Sequence, residues 1–118
     1  MSAYLENEYG KITYSDSYII NIAGISAVNC YGVVGMTSIT TMDGINDLLK
    51  IEDFKKGVRV SVDQENRLNI QLNIIVLYGT SLSAISNSIM ETVKYNVETA
   101  TGVKVNKVDV VISGIRVK

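Results

Sequence analysis

Apolar and polar positions recur along this chain with two periods. Ile19, Ile22, Ala23, Ala27 and Cys30 follow one another at spacings of three and four, the face of a helix. Ser15, Asp16 and Ser17 stand ahead of them as N-caps, and Gly32 stands just past them as a left-handed terminator. The pattern predicts a first helix from Ser17 to about Cys30. A cleaner stripe follows later, through Leu82, Ile85, Ile89, Val93, Val97 and Ala100. It predicts a long second helix, capped by Thr80 or Ser81, running to Thr101 and stopped by Gly102. Glu91, Lys94 and Glu98 are spaced to pair along its outer face.

Elsewhere the period is two. Val58, Val60 and Val62 alternate with Gly57, Arg59 and Ser61, and Asp63-Gln64-Glu65-Asn66 is turn chemistry. The return strand puts Leu68, Ile70, Leu72, Ile74 and Val76 on one face and Asn69, Gln71 and Asn73 on the other. From Ile75 onward the second face turns apolar as well, with Ile75 and Leu77, just before the Tyr78-Gly79 corner. That end of the strand is expected to need cover from another element or another chain. Gly10–Tyr14 reads as a short strand, Val33–Thr41 as extended, and Val108, Val110 and Ile112 as a closing strand with a bulge at Ser113-Gly114. Between them, 41–56 reads as a solvated excursion, with Asp43 capping a short helix from Gly44 to about Ile51.

These elements predict an α+β fold. The expectation is a two-layer sandwich with a largely antiparallel sheet and two main helices on one face, in the order β-α-β-β-β-α-β. Strand order is not legible from the pattern, and a ferredoxin-like arrangement is one candidate. The 118 residues fit one domain spanning 1–118, with residues 1–8 expected to be a flexible N-terminus.

Composition narrows the chemistry. Ile and Val, at 15 each, supply the β-branched core, while charged residues make up only 19% of the chain. With no His there is no Ser-His-Asp triad and no imidazole proton shuttle. A single Cys excludes an internal disulfide and a thiolate zinc site, and Cys30 reads as a small buried hydrophobe. A net charge of −1 argues against a general polyanion binder. The N-terminus lacks the basic and apolar regions of a signal peptide, and no run approaches a membrane span, so a cytoplasmic location is expected. No Pro occurs in the chain, which leaves sheet edges without that protection against pairing.

Several motifs have a sharp reading and a plainer one. Gly32-Val33-Val34-Gly35 spells the GxxG of a KH nucleic-acid loop. That loop joins two helices and carries basic residues, whereas here a helix terminator before a strand is the better reading. Asp43, Asp47, Glu52 and Asp53 do not follow the calcium-loop pattern and read as a solvated face. Asp109 falls opposite the Val108 face and is expected in water. Lys55, Lys56 and Arg59 form a small basic spot for a phosphate or anionic headgroup, or simply a solvated strand entrance. Lys104, Lys107, Arg116 and Lys118 make a basic tail that matters only if folding gathers it beside Lys55 and Lys56. Tyr4, Tyr9, Tyr14, Tyr18 and Tyr31 crowd the first quarter, either as half-buried packing or as interface residues.

Several segments, in order, resemble the alkaline-shock, or envelope-stress-response, protein family of Gram-positive bacteria. They are Gly10–Ser15 with the following helix, Gly32–Met36, Lys56–Val62, the strand Leu72–Tyr78 with Gly79, the long helix, and Thr101-Gly102-Val103 before the closing strand. The resemblance spans about Glu8 to Val117. It implies a non-enzymatic protein of envelope homeostasis. Some members lie at the cytoplasmic membrane face through a membrane-bound partner, some self-associate, and close relatives are often encoded beside a fatty-acid kinase. It brings no catalytic residue, cofactor or metal. The chain departs from many members in helix faces rich in Ser, Asn and Thr rather than Glu and Lys.

The expected function is therefore a self-associating or partner-docking interaction module. Its expected partners are a second copy of itself or a small membrane-anchored protein, with membrane contact peripheral or indirect and no nucleic acid. The candidate contact residues are Lys55, Lys56, Arg59, Ile75, Leu77 and Tyr78. The alternatives are a carrier or sensor of an acyl chain or lipid headgroup, and a KH-like nucleic-acid module.

Overall fold

The strand Leu68–Leu77 organises the sheet, because its apolar residues occupy every second position. Leu68, Ile70, Leu72, Ile74 and Val76 are all essentially buried, while the intervening residues are half-exposed. The computed structural model describes residues 2–39 and 56–117. Its elements are β1 (Tyr4–Asn7), β2 (Gly10–Thr13), α1 (Asp16–Val28), β3 (Val33–Met36), β4 (Val58–Val62), β5 (Leu68–Leu77), α2 (Leu82–Thr101) and β6 (Val105–Arg116). The solvated excursion 41–56, apart from Lys56, and with it the short helix expected from Gly44 to about Ile51, lies outside the described residues.

β3 and β4 share one edge of β5, both antiparallel to it. β4 takes Leu68 to Leu72, and β3 takes Ile74 to Val76. The other edge of β5 carries β6 along its whole length, in parallel register. The sheet is thus largely antiparallel, as expected, but its longest pairing is parallel. The reason is connectivity: α2 carries the chain back across the sheet, so the next strand starts from the same end as β5. The ferredoxin-like arrangement does not hold, because the Gly10–Thr13 strand lies outside this sheet and, among the described residues, pairs only with β1.

Both helices cover one face. α1 begins where the Ser15 hydroxyl accepts the Tyr18 N–H at 3.2 Å, and buries Ile19, Ala23 and Ala27. It ends at Val28, two residues short of Cys30, which is half-buried and donates its Sγ–H to the Ser26 carbonyl at 3.4 Å. α2 matches its predicted bounds. Ser81 caps it, Ile85, Ile89, Val93 and Val97 are buried, and Gly102 terminates it at φ +74°. Glu98 is not on an outer face: it is half-buried and accepts the Val105 N–H at 2.9 Å. Gly32 is required by its backbone, and a side chain there would also push Ile85 aside. Its φ is +90°, and a Cβ there would meet Ile85 Cδ1 at 2.5 Å.

The N-terminus differs most from expectation. Residues 1–8 were expected to be flexible, yet Tyr4–Asn7 pairs with Gly10–Thr13 as a hairpin, and Ala3 is fully buried. Three contacts outside the hairpin hold it. Asn66, at φ +60° in the β4–β5 turn, accepts the Tyr4 N–H and donates to the Tyr4 carbonyl. The Tyr14 hydroxyl donates to the Thr101 carbonyl at 2.7 Å, and Leu5 lies over Gly102. Hydrophobic alternation is too short in this segment to signal a strand, and the residues that anchor the hairpin to the rest of the fold lie sixty or more positions away.

Candidate interaction surfaces

The face of the sheet away from the helices is graded from polar to apolar. Toward the start of β5, Arg59 and Ser61 of β4, Asn69 and Gln71 of β5, and Lys107 and Asp109 of β6 line a shallow depression of about 180 Å³. The register aligns Arg59, Gln71 and Asp109 in one row, and Ser61, Asn69 and Lys107 in the next. Lys107 spends its charge locally, 3.6 Å from Asp109, with both side chains exposed. Toward the end of β5 the same face carries Ile75 and Leu77, half-buried, and Val111, 41% exposed. Ile75 lies against Gly114, where a Cβ would touch its Cγ1 at 3.5 Å.

The sequence-predicted contact residues therefore fall into two groups. Lys56 and Arg59 are exposed at the β4 side, and the Lys56 carbonyl accepts the Ile39 N–H at 2.9 Å. Ile75, Leu77 and the exposed Tyr78 lie at the far end of β5. Gln71, opposite Arg59, is six residues from Leu77, about 20 Å along the strand. Lys55 is outside the described residues. The basic tail is not gathered either: Lys107 stands beside Asn69 and Arg116 beside Leu77, at opposite ends of β5. Val33–Met36 forms β3, so the GxxG letters sit at a helix-to-strand junction and not between two helices. Asp109 is solvent-exposed, as strand alternation required.

The helix layer holds a surface that the sequence reading missed. Between α1 and α2, facing away from the sheet, runs an open groove made of two adjoining depressions that share Ile25, Ser26 and Asn96. Tyr18, Ile22 and Ala100 line one end and Cys30, Tyr31 and Ser88 the other, with no charged side chain among the lining residues. Tyr31 is 79% exposed and Ile25 59% exposed. Asn96 Nδ2 donates to Ser26 Oγ at 2.8 Å and ties the helices across the groove floor. Tyr14 and Tyr18 stack at 6.0 Å beside it. A signal was present: Ile25 lies off the stripe formed by Ile19, Ile22, Ala23 and Ala27, so α1 is apolar on more than one side.

Electrostatics are local. In the β4–β5 turn the Asp63 carboxylate accepts the Arg67 backbone N–H at 3.0 Å, the Glu65 N–H at 2.9 Å and the Arg67 Nε–H at 3.0 Å. The Arg67 backbone N–H is the main cause holding its pKa below the ordinary 3.8, reinforced by the Glu65 N–H and the guanidinium, while desolvation pulls the other way. Among the described residues there is no group of three or more metal-ligating side chains, and no helix is long and apolar enough to cross a membrane.

Two helices on one face of a mostly antiparallel sheet, with an N-terminal hairpin strapped to their far end, define a small two-layer α+β sandwich. The chain belongs to the family of alkaline-shock protein 23, whose function is cell envelope-related; the family model matches residues 4–117. The resemblance to the alkaline-shock family of Gram-positive bacteria is thereby borne out. A Bacillus subtilis (strain 168) protein, "Uncharacterized protein YloU", is 39% identical over 118 residues, covering 99% of this chain and 98% of the relative. "Uncharacterized protein Spy1614" of Streptococcus pyogenes serotype M6 is 32% identical over 118 residues, covering 99% and 97%. No solved structure matches the chain.

Proposed function

We propose that this protein is a non-catalytic interaction module of cell envelope homeostasis, acting at the cytoplasmic face of the membrane. It associates with itself or docks on an envelope partner, and its membrane contact is peripheral or made through a small membrane-anchored protein. Family membership supports the envelope role. The observation that carries the association reading is the uncharged groove between α1 and α2, with Ile25 and Tyr31 largely exposed on its rim. Exposed aromatic and β-branched residues without flanking charge are characteristic of the centre of a protein contact. The space between helices and sheet favours association over carriage of an acyl chain, because Ile19, Ile74, Ile89 and Val93 fill it and are fully buried. Scattered, locally paired basic residues disfavour a nucleic-acid module.

The test is crosslinking and affinity purification from the native cell, separated into cytosolic and membrane fractions, with Ile25→Glu as the comparison. The expected result is a self-adduct, or a specific envelope partner whose recovery Ile25→Glu diminishes. A chain that stays monomeric at high micromolar concentration and recovers no specific partner would overturn the reading.

A further inference from the structure

Among the described residues the sheet ends in a long strand with an open side. β6 runs from Val105 to Arg116, and among the described residues it pairs only with β5. The register tells which of its backbone groups face outward. In β5 the even-numbered residues point toward β6: the Leu68 N–H donates to the Lys104 carbonyl, and the Tyr78 N–H to that of Arg116. The odd-numbered ones point the other way, as where the Asn73 carbonyl accepts the Thr37 N–H. Lys107, Asp109 and Val111 stand opposite Asn69, Gln71 and Asn73, so their N–H and C=O groups bond into the ladder. Val108, Val110 and Ile112 alternate with them and turn theirs outward. The register shifts between Leu68 and Asn69 and between Ile74 and Ile75, so the regular stretch of β6 is Lys107–Ile112.

This stretch is complementary to itself. Its three outward-facing residues are symmetric about Val110. A second copy laid antiparallel with the two-fold axis at Val110 sets Val110 against Val110 and Val108 against Ile112. Every outward N–H and C=O of the three residues is then bonded. Displacing the axis by one residue toward the N-terminus sets Asp109 against Asp109 and leaves the groups of Ile112 unmatched. The side chains agree. Val108, Val110 and Ile112 all belong to the hydrophobic core or pack on its margin, and Val110 and Ile112 are only half-buried. A second β6 would cover that margin with three β-branched pairs and continue the core row across the junction. No Pro in the chain obstructs the edge.

Resting on the association reading above, we infer that the self-association surface is the free edge of β6, and that two copies join there as one continuous sheet with a two-fold axis at Val110. In this arrangement Asp109 of each copy lies opposite Val111 of the other, a non-hydrogen-bonded pair with close Cα atoms, which suits a disulfide.

Two measurements test it, both on the full chain. In a Cys30→Ser background, Asp109→Cys chains mixed with Val111→Cys chains and oxidised should give a disulfide-linked dimer far in excess of either variant alone. Val110→Pro should raise the dimer Kd at least tenfold in sedimentation experiments, because it removes an outward N–H while leaving the ladder to β5 unbroken. Circular dichroism and thermal melting show whether that variant stays folded, and the disulfide test stands if it does not. A dimer with no excess of mixed disulfide, or one undisturbed in a folded Val110→Pro chain, overturns the β6 assignment and leaves the association reading intact. A wild-type chain that is monomeric throughout the micromolar range overturns the inference, and an envelope partner recovered by that chain would leave docking as its mode of action.

Discussion

The side-chain amide of Asn66 is bonded twice to the backbone of Tyr4, accepting its N–H at 3.1 Å and donating to its carbonyl at 2.7 Å. A turn residue thus acts as a one-residue strand for the N-terminal hairpin. Asn66→Ala should lose about 1–3 kcal/mol in chemical denaturation, since two hydrogen bonds are lost and a residue at φ +60° becomes strained. Asn66→Gly keeps the turn conformation and isolates the clamp. In both variants the Tyr4 and Tyr14 amides should exchange hydrogen faster, while those of Ile74 and Val93 keep their rank as slow exchangers. Unchanged exchange at Tyr4 would show that the clamp does not secure the hairpin.

Leu5 reaches the other end of the strap. Its Cδ2 lies 3.1 Å from where a Cβ on Gly102 would stand, and Gly102 has φ +74°. Gly102→Ala should therefore cost about 1–2 kcal/mol from the left-handed backbone alone, with a steric part added by Leu5. In a Leu5→Ala background the steric part should disappear, so urea denaturation should show the two substitutions to be less than additive. Strict additivity would mean that Leu5 moves aside freely.

Thr37 and Ser113 meet across β5, with their hydroxyl oxygens 2.7 Å apart. The Ser113 hydroxyl donates to the Ile74 carbonyl at 3.0 Å, so Thr37 is the donor between the two. Thr37 is 2% exposed. Ser113→Ala should cost about 1–3 kcal/mol, because it removes the acceptor from a buried hydroxyl. The double variant Thr37→Val with Ser113→Ala should recover part of that loss, which a double-mutant cycle in guanidinium would measure.

Asp63 gives the pH dependence a definite sign. The Arg67 backbone N–H, with the other donors of the turn, lowers its pKa from 3.8 in the folded chain. A lowered folded pKa means stability that is fully present above pH 3.8 and is lost as pH falls through the lower folded value. Asp63→Asn should flatten the acid limb of the stability profile in that window and leave the profile between about pH 5 and 8 parallel to that of wild type. An acid limb of unchanged slope would contradict the assignment.

Much of the architecture was legible because its period is local. The α2 stripe, its Ser81 cap and its Gly102 stop are contained within about twenty residues, and the structure reproduces the cap, the stop and the stripe from Ile85 to Val97, while Leu82 and Ala100 at its ends are exposed. The same holds for the alternation of β5 and for the irregularity at Ser113-Gly114. The contact surfaces were less legible. Ile75, Leu77 and Tyr78 were marked by local pattern, yet nothing in the pattern said that Arg59 would stand four or more residues along the strand from Ile75 and about 20 Å from Leu77. The groove at Ile25 and Asn96 joins residues seventy positions apart at its Ser26–Asn96 bond, so only the packing of α1 on α2 creates it.

By itself the amino-acid sequence determined both helices, the strands from Val33 onward, the buried faces of β5 and α2, the ends of α2 and the family, because each is set by local periodicity, by capping chemistry or by the order of short motifs. Tertiary structure alone decided that β6 runs parallel to β5, that β3 and β4 share one edge, and that the first residues form a strap. Those outcomes depend on which distant backbone groups find partners: the Leu68 N–H on the Lys104 carbonyl, the Tyr4 backbone on the Asn66 amide. Hydrogen-bonding capacity is present at every residue, so no residue type announces its partner, and only the assembled layers select among the pairings.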